Sequence, residues 1–363
     1  MEVVARDGTA RAGILTTARG QVPTPCFMPV GTRGAVRTLA ASDLEDLGVR
    51  IQLGNAYHLM LKPGAERIAA LGGLHAFESW SGHILTDSGG YQVFSLRPKV
   101  DDDGATFRST YDGSTHRLTP ESAVRIQALL GSDVQMVLDV CPPLPSPPAV
   151  LREAVERTAA WAVRARRAFV ELDRPELSQF GIVQGGTDPV LRVDSARRTR
   201  EVGFDGYAVG GLSVGESREE MLPALAAALG ELPDDQPRYL MGVGDPVGML
   251  DAIALGVDLF DCVLPTRHGR HGTILTGQGR YNLKRAENAD DATPLDPGCG
   301  CPVCARWSRA YLRHLLVVDE PTAPRLCTLH NTWWTLRLVE SARAAVQEGT
   351  LAALRARIAA AYP

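Results

Sequence analysis

Short apolar runs that end in a polar residue or a glycine recur along this chain, spaced widely enough for a helix to fit between them, and this repeat narrows the possible folds. Ile84-Leu85-Thr86 ends at Asp87, Val134-Gln135-Met136-Val137-Leu138 at Asp139, Gly181-Ile182-Val183 at Gln184, Tyr207-Ala208-Val209 at Gly210-Gly211, and Val257-Asp258-Leu259-Phe260 at Asp261. Eight candidate strands follow: Thr24–Val30, Val49–Gly54, His83–Thr86, Asp133–Leu138, Gln179–Val183, Gly206–Val209, Arg238–Val243 and Val257–Phe260. Helical segments with start signals lie between several of them, such as Thr119-Pro120-Glu121 ahead of Ser122 to Leu130. Strand alternating with helix predicts a parallel sheet, and eight strands suit a closed α/β barrel. In such a barrel the C-terminal strand ends converge on one mouth, so residues far apart in sequence meet over one ligand.

Two stretches break the alternation, Arg97 to Leu118 and Gly269 to Leu326. The first carries turn signals at Asp103-Gly104 and Asp112-Gly113 with alternating residues between, which predicts an inserted hairpin of two short strands. The expected organisation is therefore a barrel over residues 1–268 with a hairpin insertion near 97–118, a metal-binding insertion over 269–330, and C-terminal helices over 331–363 packed on the barrel. The net charge of -4 argues against a protein wrapped along its whole face by nucleic acid, but leaves room for a local basic patch. Met1 to Gly13 holds scattered charges and no apolar targeting core, and no run approaches a membrane span. A cytoplasmic protein that does not engage membranes is expected, and its seven cysteines read as reduced thiols or metal ligands.

Cys299-x-Cys301-x-x-Cys304 supplies three soft ligands, and His330 or Cys327 can close a tetrahedron. Closely packed thiolates repel one another, and Zn²⁺ relieves that repulsion without redox chemistry. Four protein ligands leave no open position for water, so one structural zinc ion is expected and catalysis has to lie elsewhere.

Asp261 follows Phe260 at a strand end, and Asp87 sits in Thr86-Asp87-Ser88-Gly89-Gly90-Tyr91. A strand-end aspartate taken singly is more often a cap or an ion-pair partner. Several converging on one mouth suggest glycosyl chemistry, one carboxylate attacking the anomeric carbon while the other moves a proton to and from the leaving group. Asp139 can accept from adjacent N–H groups of a purine-like ring, Gln184 and the Gly211 amide can donate to its carbonyl, and Tyr91 and Met241 can sandwich it. Arg267-His268-Gly269-Arg270-His271-Gly272 reads as a basic loop able to hold phosphates or bases beside the reacting sugar.

At these residues the chain resembles the bacterial tRNA-guanine transglycosylases. The resemblance runs nearly end to end, through Asp87-Ser88-Gly89-Gly90-Tyr91-Gln92-Val93-Phe94-Ser95-Leu96, Gly181-Ile182-Val183-Gln184-Gly185-Gly186, Gly210 to Glu216, Phe260 to Arg267, and the cysteine cluster. It implies a (β/α)8 TIM barrel with a zinc-binding insertion, and exchange of guanine at the wobble position of GUN-anticodon tRNAs for a 7-deazaguanine on the way to queuosine. Asp261 resembles the nucleophile that joins to ribose, and Asp87 the acid/base. Asp139, Gln184, Gly211 and Leu212 match base-recognition positions, Tyr91 and Met241 the stacking pair, and Arg267 and Arg270 the arginines that grip the anticodon loop. Cys299, Cys301, Cys304 and His330 match the zinc ligands, which favours His330 over Cys327. Val214 and Cys141 resemble the bacterial pocket for the free base preQ1, and Glu216 the residue that steadies the Gly211–Leu212 peptide. A homodimer is implied by the family alone.

The sequence departs from the family pattern at Val140, where many bacterial members carry Glu, and at His271, where Asn is usual. Queuine salvage is the alternative for the base. A zinc-containing RNA-binding protein without turnover is the alternative class, and it would not need a carboxylate after Phe260. A barrel hydrolase acting on free nucleosides would use both aspartates without the arginine-rich segment or the cysteine cluster.

Overall fold

A computed structural model describes residues 1–363. Three strands, β1 (Glu2–Asp7), β2 (Ala10–Thr17) and β3 (Gly20–Thr24), form an antiparallel sheet ahead of the barrel. The barrel opens with β4 (Cys26–Gly31), β5 (Ile51–Gly54) and β6 (His83–Thr86). It is interrupted by the antiparallel sheet of β7 (Lys99–Asp101), β8 (Gly104–Arg108) and β9 (Thr115–Leu118). It continues through β10 (Val134–Met136), β11 (Ser178–Val183), β12 (Gly206–Val209), β13 (Arg238–Leu240) and β14 (Leu259–Cys262), and β14 pairs in parallel with β4 to close the ring.

Every residue of β4, β5, β6, β10, β12 and β13 is buried, as befits parallel strands covered by helices outside and packed side chains within. The strands fall on the eight predicted runs with one informative shift. The last begins at Leu259 and extends to Cys262, so Asp261 is a strand residue rather than the residue after the strand, and pairs across to Met28.

Local chemistry sets the helix starts on the mouth side. Asp188 opens Pro189–Val202 by accepting from the Val190 and Leu191 amides, and Asp245 opens Pro246–Ala254 by accepting from Gly248. Met241 to Asp245 is thus the turn from β13 into this helix. Thr119 with Ser122, and Ser217 with Glu220, form reciprocal caps at the starts of Pro120–Leu130 and Arg218–Leu229.

The insertion after β6 is a three-stranded sheet, not the two-stranded hairpin expected, because its two turn signals mark two successive hairpins. The N-terminal sheet was not anticipated. Its first strand is exposed or half-buried along its length, so no apolar alternation announces it. Its anchor is the fully buried Arg11, which pairs with Asp258 and donates to the carbonyls of Asp234 (2.8 Å) and Gln236 (2.7 Å). Arg19 reaches Asp133, just ahead of β10, at 3.0 Å. Both contacts lie where barrel strands begin, so this sheet covers the face opposite the mouth.

After β14 come the helix Leu264–His271, the hairpin β15 (Thr273–Thr276) and β16 (Gly279–Asn282), the cysteine segment, and the helices Arg309–Val317, Thr322–Glu348 and Leu351–Ala361. The expected division at residue 330 falls inside the unbroken Thr322–Glu348 helix. No helix is long and apolar enough to cross a membrane.

Candidate active site and metal centre

Asp87 leaves the end of β6 and is held by three donors: the Asn55 side chain on Oδ2 (2.6 Å), and the amides of Ala56 (2.8 Å) and Gly89 (3.1 Å) on Oδ1. Burial nonetheless pushes its pKa up to about 7, and the neighbouring charges of Asp261 and Asp139 add to the rise. Asp261 receives the Tyr239 hydroxyl at 2.5 Å and the Gly242 amide at 2.8 Å, both on Oδ1. Burial raises its pKa while these two bonds restrain the rise. Oδ2 of Asp261 has no hydrogen-bond partner within the chain. One mouth therefore carries a carboxyl that retains a proton near neutrality beside a second carboxyl with one oxygen free of hydrogen bonds, an arrangement suited to moving a proton beside an electrophilic carbon.

The residues expected to hold a base come together at the ends of β10, β11 and β12. Asp139 is buried, and the Gln184 side-chain amide donates to its Oδ2 at 2.5 Å. Desolvation lifts Asp139 to about 6, and the Gln184 bond opposes that shift. Gln184 Oε1 is buried without a partner beside Gly211, where a Cβ built on the glycine would lie 2.2 Å from it. Gly211 also has φ +65°, so two independent constraints exclude a side chain there. Leu212 is buried, and Val214 and Cys141 are half-buried. The Cys141 thiol is pushed up to about 12, chiefly by burial and then by the Asp139 charge.

Glu216 accepts from the amides of Ser213 and, at 3.0 Å, Val214. The peptides it steadies thus lie beyond the Gly211–Leu212 peptide expected. Tyr91, on the short helix Gly90–Ser95 after Asp87, has 60% of its surface exposed, and Met241 is half-buried just past β13. Val140, where the family pattern differs, packs into the apolar cluster that contains Leu138 and Trp161 and donates its amide to Thr158 (3.0 Å).

Arg267 and Arg270 lie on the helix Leu264–His271, where a loop was expected. Pro265 in its first turn and Gly272 at its end are ordinary boundary residues that disguise eight helical positions as a turn-rich segment. Arg267 is exposed. Arg270 is half-buried, donates to Thr266 (3.1 Å), and has its pKa drawn down by burial and then by nearby Arg37 and Arg267.

Away from the mouth, Cys299, Cys301, Cys304 and His330 place their ligand atoms within 4.8 Å of one another. His330 Nδ1 stands 3.6, 3.4 and 3.3 Å from the three sulfurs. A sulfur and a nitrogen on one tetrahedral zinc, at Zn–S 2.3 Å and Zn–N 2.0–2.1 Å, are separated by about 3.6 Å, so the four groups fit such an ion. His330 Nε2 lies 2.8 Å from the Leu275 carbonyl, which places the proton on Nε2 and turns the Nδ1 lone pair toward the sulfurs. Cys327 stays outside the cluster as a buried thiol pushed up to about 12 by desolvation. The chain has no disulfides.

Sequence reading missed two residues at the carboxylates, Asn55 and Tyr239. Tyr239 is a barrel residue whose hydroxyl needs a buried partner, a signal available only once the partner's strand is known. Asn55 at the end of β5 fits the same polar strand-end pattern as Asp87 and could have been found by it.

A family model described as Queuine tRNA-ribosyltransferase matches residues 7–363. The chain is 54% identical over 359 residues to the queuine tRNA-ribosyltransferase of Solidesulfovibrio magneticus, spanning 98% of this chain and 96% of that one. It is 51% identical over 351 residues to the protein of the same name from Gluconacetobacter diazotrophicus (96% and 90%), and 50% over 362 residues to that from Caulobacter vibrioides (99% and 97%). Since these likenesses take in nearly the whole chain and nearly the whole of each relative, the chain belongs to the queuine tRNA-ribosyltransferase family and is a pentosyltransferase.

Proposed function

We propose that this chain replaces guanine at the wobble position of GUN-anticodon tRNAs with preQ1 by double displacement. Asp261 Oδ2 attacks C1′ of the ribose, the glycosidic bond breaks, and the departing guanine takes the proton of the Asp87 carboxyl. The incoming base returns its N–H proton to Asp87, its nitrogen attacks C1′, and the ester to Asp261 breaks, restoring the original configuration. The observation that carries this reading is the contrast between the two carboxyls, Asp87 raised to about 7 and Asp261 bonded through one oxygen only.

Asp139 accepts from the adjacent N–H groups of the base, Gln184 and Gly211 donate to its carbonyl, and Leu212 borders the same edge. Tyr91 and Met241 cover its faces. Val214 and Cys141 leave space for a small aminomethyl group, and Glu216 orders the loop beside it. Arg267 and Arg270 hold the anticodon loop. Cys299, Cys301, Cys304 and His330 would hold one zinc ion, which supplies cross-linking of the cysteine segment to the Thr322–Glu348 helix and takes no part in the chemistry. The homodimer that the resemblance implies belongs to the same proposal, and light scattering on the purified chain tests it.

Denaturing electrophoresis after incubation with substrate tRNA tests the covalent step. Wild type is expected to give a tRNA-linked band whose adduct maps to Asp261, and Asp261→Asn none. A band of equal yield from the variant would overturn the assignment.

A further inference from the structure

Arg192 lies in the helix Pro189–Val202, is fully buried, and has no carboxylate partner. Its guanidinium instead makes four hydrogen bonds to main-chain carbonyls. Nε donates to Gly186 (2.7 Å), one terminal nitrogen to Val183 (2.9 Å) and Gly210 (2.7 Å), and the other to Gly211 (3.2 Å). Val183 and Gly186 flank Gln184 at the end of β11, while Gly210 and Gly211 follow β12. One planar group therefore ties together the two strand ends that carry the base-recognition amides.

The direction of those bonds has a further consequence. A trans peptide places its C=O and N–H on opposite sides. Drawing the Gly210 and Gly211 carbonyls toward Arg192 turns the amides of Gly211 and Leu212 away from it. Neither amide donates to any group within the chain, although Leu212 is buried. Two main-chain donors are thus held in a set direction without a partner, beside Gln184 and Asp139. Buried, unpaired N–H groups are costly unless a ligand completes them.

We propose that Arg192 is a positioning residue for base selection, aiming the Gly211 and Leu212 amides at the carbonyl edge of the incoming base and fixing their spacing from Gln184. This inference rests on the transglycosylase reading above. It adds a residue that touches neither base nor ribose. Burial draws the Arg192 pKa down to about 10, so the group keeps its charge at neutral pH. Its planar fork reaches four acceptors at once, which a lysine ammonium cannot match.

The test is exchange of labelled guanine into tRNA by wild type, Arg192→Lys and Arg192→Gln, with KM measured separately for base and for tRNA. Arg192→Gln is expected to raise the base KM at least tenfold and leave the tRNA KM within twofold, with Arg192→Lys between it and wild type. Circular dichroism decides which variants are folded. If Arg192→Gln does not fold, Arg192→Lys carries the test, with a base KM raised severalfold at an unchanged tRNA KM. A base KM within twofold of wild type in a folded variant would overturn the proposal. So would parallel rises in both KM values with a lowered Tm, the mark of a merely structural arginine. Absence of exchange by wild type would overturn the transglycosylase reading instead.

Discussion

Desolvation governs the site at the scale of single residues, and it makes the pH behaviour of Asp87 predictable. Its folded-state pKa of about 7 lies above the ordinary aspartate value near 3.9, so the folded form binds the extra proton between those limits. The stability this gives is complete below about pH 4 and is lost as pH rises through 7. Asp87→Asn is expected to unfold at a higher temperature than wild type at pH 8, with the difference shrinking toward pH 4, while exchange falls by roughly 10²–10⁴. Identical melting of the two proteins at pH 8 and pH 4 would refute the raised pKa. Tyr239→Phe removes a donor that holds the Asp261 pKa down, so the acid limb of the pH–rate profile is expected to move to higher pH, with a lowered maximum. A limb that stays in place would mean Tyr239 does not tune the nucleophile. Asp87 and Asp261 were legible in the sequence because a carboxylate ending an apolar run is costly to bury without a use or a partner. Arg192 was not, because a buried arginine in the first turn of a helix looks like any surface charge until its carbonyl acceptors are seen to converge.

Between elements, the arginine helix packs closely against the long C-terminal one. A Cβ on Gly269 would stand 2.7 Å from the backbone of Thr328, so the Leu264–His271 and Thr322–Glu348 helices touch where only glycine fits. Gly269→Ala is expected to lower stability by about 1–3 kcal/mol, read by denaturant unfolding, because the obstacle is main chain that cannot rotate away. A change below about 0.5 kcal/mol, the ordinary surface-mutation range, would show that the contact yields. Asn331 donates to the Pro265 and Thr273 carbonyls (3.1 and 2.9 Å) from the position after His330, so the metal ligands and the arginine helix share one support. Chelation of the metal is therefore expected to raise the tRNA KM and lower the Tm while leaving the base KM within about twofold. Unchanged tRNA binding by the metal-free protein would separate the cluster from the RNA surface. Strand positions were readable from their apolar runs, whereas the arginine helix was hidden by proline and glycine at its boundaries, and β1 by its lack of a fully buried face.

For the whole molecule, the closed ring of eight parallel strands followed from counting apolar runs, since a ring leaves no edge strand exposed. The N-terminal sheet that covers the opposite face did not, because its hold on the barrel is the Arg11–Asp258 pair, joined across 247 positions of sequence. The ring brings Asp87, Asp139, Gln184, Gly211, Met241 and Asp261 to one mouth, and base exchange on tRNA is the activity that follows. Incubation with labelled guanine, preQ1 and queuine, each with tRNA bearing a guanine wobble base, tests this most directly. Uptake of guanine and preQ1 without queuine is expected. Uptake of queuine would replace the preQ1 assignment with salvage, and uptake of no base by folded, metal-loaded protein would contradict the transglycosylase reading itself.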